Sequence, residues 1–244
     1  MSIGKPKSAK MHPGPGFRIR TDWERPEQQL VASLGSFDTP DISDQMNRLY
    51  TMVPAVRHLT RPELQILGPA CTVKVFPGDN LMVHKSLDIA KPGDVVVIDA
   101  STSTLTAVSG DLISTKARHR GIAGFVVDGL IRDIEAIQAL GDFPVFARGI
   151  TPIGPLHRGP GEIGHPIAAG GIVVNPGDII VGDQNGVVVI PQGIAEELLD
   201  RLTTKAELSA EYTAAVQRGE FSNAWVDATL QSGGVEIEEP AGAV

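Results

Sequence analysis

Along the middle of this chain, aliphatic β-branched runs alternate with amphipathic stretches, and glycine or proline closes almost every run. Asp94-Val95-Val96-Val97-Ile98-Asp99 is apolar at every interior position, the pattern of a strand buried on both faces. A helix follows over about Asp111 to Arg120, with Gly121 as its left-handed stop. A second strand, Ile122 to Asp128, leads through Gly129 into a helix from about Asp133 to Leu140. Gly141 ends that helix, and Phe143-Pro144-Val145-Phe146-Ala147 supplies a third strand. Strand–helix–strand–helix–strand at this spacing implies right-handed crossovers and parallel strands, hence an α/β fold. Ligands of such sheets bind beyond the carboxyl ends of the strands.

The flanking pattern is less regular. Residues 1–25 read as an irregular arm, and residues 26–60 as helical with a break over 38–44. At that break Asp41 or Ser43 would cap a helix carrying Met46, Leu49 and Tyr50. The pattern turns β from Gly68 to Val75, Pro77-Gly78-Asp79-Asn80 is a turn, and Leu81 to Ala90 is a helix stopped by Lys91-Pro92-Gly93. Pro-Gly-Asp opens Asp94-Ile98 and recurs at Pro176-Gly177-Asp178, so similar turns should feed both strands. Asp183-Gln184-Asn185-Gly186 lies between two apolar runs as a hairpin. A long polar helix over about Ile194 to Arg218 follows, and Ile194, Leu198 and Leu202 suit it for packing on the domain or on a neighbouring subunit. The acidic end should fray. One domain over 26–220 with a tail over 221–244 is the expected organisation.

Charge and composition then narrow the function. At 244 residues the chain can bury a full core. A net charge of −8 argues against nucleic acid as the main partner, since phosphate binding needs clustered cations. The basic start (Lys5, Lys7, Lys10, Arg18, Arg20) is interrupted by Pro13, Gly14, Pro15 and Gly16 and reads as a mobile arm. Cys71 is the only cysteine, which excludes an internal disulfide or a cysteine-based zinc site, and its strand-like setting suits packing. No run approaches the roughly 18 apolar residues of a membrane span and no signal-peptide pattern opens the chain, so the expectation is a cytoplasmic protein with no membrane partner.

The chemistry concentrates at two junctions. Gly110-Asp111-Leu112-Ile113 and Arg132-Asp133 each follow a β-like run and open a helix-like one, with twenty residues between Asp111 and Arg132. On neighbouring parallel strands both junctions fall at one sheet edge. Gly110 permits close backbone approach, and the amides of Asp111, Leu112 and Ile113 are free at a helix start to bind a carboxylate or phosphate. Taken alone, Asp111 reads as a helix cap and Asp133 as an acidic residue favourable to a helix dipole. Arg132 fits less well there, because a cation at a helix N-terminus needs an anion to offset it; a bidentate carboxylate is the natural one. Two carboxylates, a guanidinium and free amides suit a hard cation with a small anionic substrate. Oxygen ligands only, and few of them, point to Mg²⁺ or Mn²⁺ keeping several waters. Gly159-Pro160-Gly161-Glu162-Ile163-Gly164 matches the dinucleotide fingerprint in form but lacks the strand before it and the helix after it. His119 lies in a basic run with Lys116, Arg118 and Arg120 that reads as a solvated face, and His84 as a packed histidine.

These residues resemble the RraA-like family, which includes the metal-dependent 4-hydroxy-4-methyl-2-oxoglutarate / 4-carboxy-4-hydroxy-2-oxoadipate aldolases. The likeness runs over about residues 38 to 220 through Ile42-Ser43-Asp44, Pro77-Gly78-Asp79-Asn80, Pro92-Gly93-Asp94, Gly110-Asp111-Leu112, Asp128-Gly129, Arg132-Asp133 and Pro176-Gly177-Asp178 through Pro191. The aldolase branch is marked by Asp, twenty residues, then Arg-Asp. The resemblance implies an α/β/β/α swivelling sandwich assembled as homotrimers or homohexamers with sites at subunit interfaces. It implies that Asp133 ligates the metal and Asp111 acts through metal-bound water. Arg132 would grip the pyruvyl part, and the amides of Gly110, Asp111, Leu112 and Ile113 would hold the substrate carboxylate. A glutamate from the neighbour's C-terminal helix, Glu207 or Glu211 here, would complete the site. The implied activity is retro-aldol cleavage of a 4-hydroxy-2-oxo acid to pyruvate with oxaloacetate decarboxylation beside it, and water held by Asp111 is the expected base. The alternatives are a lyase for another 2-oxo acid and a non-catalytic regulator of an RNA-processing nuclease. Methyl transfer, a label the family has carried, finds no S-adenosylmethionine glycine loop here.

Overall fold

The computed structural model describes residues 10–238, so the Lys5 and Lys7 part of the basic arm lies outside the described residues. Two compact units meet in sequence between Leu202 and Thr203. In the first, the elements run β1 (Phe17–Ile19), α1 (Gln28–Leu34), α2 (Thr39–Gln45), β2 (Arg57–His58), β3 (Ile66–Val75), α3 (Leu81–Ser86), β4 (Val95–Asp99) and β5 (Ala107–Ser109). They continue with α4 (Asp111–His119), β6 (Gly124–Ile131), α5 (Ile134–Ala139), β7 (Val145–Ile150), β8 (Gly161–Ile163), β9 (Ile167–Ala169), β10 (Ile172–Val174), β11 (Ile179–Asp183) and β12 (Gly186–Ile190). The long helix α6 (Ala195–Gln217) starts in this unit; the second unit holds its remainder and α7 (Ala224–Ser232).

The expected unit β4–α4–β6–α5–β7 is present, and β3, β4, β6 and β7 lie side by side in parallel. Gly121 and Gly141 stop α4 and α5 with φ of 73° and 84°, a backbone that a side chain would strain. Apolar alternation sorts the layers. Val73, Val96, Ile98, Phe125 and Val127 face α3, α4 and α5 through Met82, Val83, Ile113, Ala117 and Ile137. On the opposite face Val95, Val97, Val126 and Phe146 meet Ile180, Val187 and Val189 of the β11–β12 hairpin. The hairpin's outward residues Ile179, Val181, Val188 and Ile190 pack on Val31, Leu34, Ile42, Leu198 and Leu202. The result is helix, sheet, sheet, helix: an α/β/β/α sandwich.

The repeated Pro-Gly-Asp turns match in detail. Gly93 and Gly177 have φ of 87° and 88°. Asp94 accepts the Lys91 amide and Asp178 accepts the Asn175 amide, each at 2.8 Å. Cys71 is fully buried, and burial pushes its thiol up, as suits a packing residue.

Three expectations are corrected. The helix of residues 26–60 is two short helices, and Met46, Leu49 and Tyr50 lie outside them because Asn47 and Arg48 take φ of 56° and 64°. Asp41 and Ser43 are not its caps: α2 begins at Thr39, whose amide and hydroxyl are both received by the Asp183 carboxylate at 3.0 and 2.8 Å. Within the stretch read as an irregular arm, β1 pairs in parallel with β8. Gly161–Ile163 is itself strand β8, followed by β9 and not by a helix, as the rejected dinucleotide motif requires.

Candidate active site

The two junctions meet because a short strand absent from the sequence reading joins them. β5 pairs in parallel with the end of β6, Ser109 opposite Ile131, and the Arg132 amide donates to the Ser109 carbonyl at 3.0 Å. Strand β6 therefore runs on through Gly129 to Ile131, three residues beyond the expected end at Asp128. Asp133 caps α5 in the left-handed conformation, φ 57° and ψ 38°, a backbone rare for a residue with a side chain and tolerated best by Asn and Asp. That turn brings its carboxylate over Gly110: a Cβ there would stand 2.6 Å from Asp133 Oδ2 and 3.2 Å from Arg132 Nε. Arg132 Nε lies 3.1 Å from Asp133 Oδ2, and both side chains stay accessible. On its far side the guanidinium rests against the backbone of Gly154, where a Cβ would come within 2.7 Å of Nη1.

Asp111 opens α4, and its Oδ1 accepts the Leu112 amide at 2.7 Å. An incoming carboxylate would therefore compete with Asp111 for one of the expected amides. Gly110, Asp111, Leu112, Ile113 and Arg132 line one cleft of about 230 Å³. Asp133 borders a more open depression beside it, shared with Asp111 and Arg132. Glu207 and Glu211 lie on the exposed part of α6 in the second unit.

Sequence reading missed the other wall of the cleft, formed by Asn80, His84, Ser109 and His157. Ser109 Oγ is buried without a hydrogen-bond partner among the described residues, which costs free energy unless something enters the cleft to meet it. His84, read as a packed histidine, presents its ring to the cleft 5.5 Å from that of His157. Burial lowers the His84 pKa first, and the nearby His157 and Lys116 add to it, which favours the neutral ring. The third Pro-Gly-Asp turn holds this wall. Asp79 Oδ1 accepts the amides of Leu81 and Gly159 at 2.9 and 3.0 Å, and its Oδ2 that of Arg158 at 2.5 Å. The signal in the sequence was that third copy of the turn.

The donor set suits a hard cation with few protein ligands. Among the described residues no three His, Cys, Asp or Glu side chains converge as a closed metal cage. Asp111 and Asp133 offer accessible oxygens, so water and substrate would fill most of the shell, the regime of Mg²⁺. No described helix is long and apolar enough to cross a membrane.

Comparison with known proteins bears on family and fold. The family model described as RraA-like, Aldolase/RraA, matches residues 39–189. A protein of Halalkalibacterium halodurans carrying the provisional name 4-hydroxy-4-methyl-2-oxoglutarate aldolase is 44% identical over 179 residues, covering 73% of this chain and 84% of that protein. The crystal structure of Streptomyces coelicolor RraAS2, called an unusual member of the RNase ES inhibitor RraA family, superposes with a TM-score of 0.71 at 30% identity, over 79% of this chain and 99% of that one. An uncharacterized protein from Pseudomonas syringae has the same TM-score at 26% identity, over 82% of this chain and 97% of its own.

Proposed function

This chain belongs to the RraA-like family, and we propose that it is a divalent-metal-dependent lyase cleaving a 4-hydroxy-2-oxo di- or tricarboxylic acid to pyruvate and a second 2-oxo acid, with oxaloacetate decarboxylation as a related activity. The observation that carries the reading is the meeting of Gly110-Asp111 with Arg132-Asp133, where a Cβ at Gly110 would stand 2.6 Å from the Asp133 carboxylate.

Asp133 would hold Mg²⁺ or Mn²⁺ directly, and Asp111 through water. The ion would supply Lewis acidity toward the 2-oxo group, a role for which other aldolases use a lysine. The chain's own residues do the rest. The start of α4 and the unpaired Ser109 hydroxyl receive the substrate carboxylate. The Arg132 guanidinium, held against Gly154, faces the C2 oxygen and stabilises the negative charge that develops there as the C3–C4 bond breaks. Exposed Leu105, Leu112, Ile153 and Leu156 lie on the loops and the helix start at this end of the sheet, and such apolar exposure supports assembly as a homotrimer or homohexamer.

A second reading, a non-catalytic regulator of an RNA-processing nuclease, is favoured by the name of the Streptomyces relative. Pyruvate release from oxaloacetate and from 4-carboxy-4-hydroxy-2-oxoadipate, with Mg²⁺ and with EDTA, separates the two. Metal-dependent pyruvate from either compound supports the lyase. Metal binding without pyruvate from either moves the reading to another 2-oxo acid, and no metal binding moves it to the regulator.

A further inference from the structure

We propose that His157 is the catalytic base of the cleft, taking the proton from the C4 hydroxyl of the substrate through Nε2. The proposal rests on the lyase reading and adds the group that reading leaves unassigned.

The geometry fixes the ring's tautomer. Asn80 Nδ2 lies 3.1 Å from the carbonyl of Val108, which can only accept, so the amide nitrogen must face it. Asn80 Oδ1 is thereby turned to His157, whose Nδ1 stands 2.6 Å away. A carboxamide oxygen also only accepts, so Nδ1 carries the proton. In the neutral ring Nε2 then holds a lone pair, as a base requires. This is the base–orienter arrangement with an amide in place of a carboxylate. Asn80 is itself fixed, since its backbone N–H donates to the Leu156 carbonyl at 3.0 Å and Asp79 gathers the backbone amides of Arg158 and Gly159. His157 is thus clamped on both sides yet exposed to an entering ligand.

The neighbouring ring lacks these features. His84 has no hydrogen bond among the described residues that would set its tautomer, and it is half-buried. Both rings line the cleft that also holds Arg132 and the start of α4, so the carboxylate grip and the base address one small molecule. In the step itself, Nε2 takes the hydroxyl proton as the O–H electron pair becomes the C4=O π bond. The C3–C4 pair moves into the C2–C3 double bond of pyruvate enolate, whose charge faces Arg132. Solvent protonates C3 to give pyruvate, and the imidazolium returns its proton to solvent, restoring neutral His157.

Oxaloacetate decarboxylation supplies the test, because carbon dioxide leaves from a carboxylate and no hydroxyl proton is removed. In His157→Gln and His157→Ala, cleavage of 4-hydroxy-4-methyl-2-oxoglutarate should fall by about 100-fold or more, the lower range of base catalysis. Decarboxylation should fall far less, so that the ratio of the two activities shifts by at least about 30-fold, and the residual decarboxylation certifies that the variants fold and hold metal. Equal loss of both activities, or an unchanged aldol rate, overturns the proposal. A wild-type protein that releases pyruvate from neither compound overturns the reading of the site as a lyase for 4-hydroxy-2-oxo acids, and His157 as its base falls with it.

Discussion

Arg25–Asp94 and Arg132–Asp133 are built from the same two residue types, yet they differ in almost every physical respect. Arg25 grips Asp94 with two parallel bonds of 2.8 and 2.7 Å, and the Lys91 amide adds a third to the same carboxylate. Asp94 is 1% accessible and Arg25 14%, with the guanidinium also over the Trp23 ring at 4.5 Å. The bond to Asp94 pushes the Arg25 pKa further up. Both Asp94 oxygens are engaged, and the pair ties the N-terminal segment to the turn that opens β4. Arg132 and Asp133 touch once, at 3.1 Å, and are 43% and 38% accessible. That contact leaves oxygens and N–H groups over, beside an unpaired buried hydroxyl and a left-handed backbone. A satisfied pair holds a fold, whereas an underused pair held in a strained place is ready for a ligand.

Breaking the second pair should give the largest change. Arg132→Ala should lower pyruvate release by about 1000-fold while leaving urea stability within about 0.5 kcal/mol, since little of the fold leans on an accessible side chain. Steady-state kinetics beside an unfolding curve reads both. Breaking the first pair reverses that profile: Arg25→Ala strands a buried carboxylate and should cost about 3 kcal/mol in urea unfolding, with KM unchanged in the folded protein. Arg132→Lys sharpens the contrast, because it keeps the charge but loses the planar fork; a loss of about tenfold in kcat/KM is expected. A rate equal to wild type would show that charge alone suffices.

The smallest effect concerns a carboxylate satisfied by neutral donors. Burial works to raise the Asp183 pKa, but the Thr39 amide and hydroxyl and the Asn185 amide outweigh it and hold it below the ordinary value. Its folded pKa is depressed, so its contribution is present above the unfolded value of about 3.9 and is lost as pH falls through the folded one. Asp183→Ala should cost about 1 kcal/mol near neutral pH, as a helix cap does. The gap from wild type should shrink in acid unfolding below about pH 4.

How much of this was readable in the chain depended on element length. Long β-branched runs with glycine stops placed β4, α4, β6, α5 and β7, because burial on both faces and a left-handed stop each leave a clear mark. Asp111, Arg132 and Asp133 were found because parallel strands bring their ends to one edge. What stayed hidden was set by contacts distant in sequence. The three residues of β5 are too few to show a period, yet their pairing with β6 extends that strand and puts Ser109 in the cleft. The real partner of α2 is Asp183, far along the chain, which no local capping pattern reveals. His157 gained meaning only once Asp79 and Asn80 fixed its loop.

Asp133 carries the central claim, and the most direct test compares pyruvate release by wild type and Asp133→Ala from 4-hydroxy-4-methyl-2-oxoglutarate at saturating Mg²⁺. Turnover by the wild type that EDTA abolishes, with none above background in the variant, is the predicted result. A variant as active as wild type would contradict the metal site and with it the role given to the two junctions.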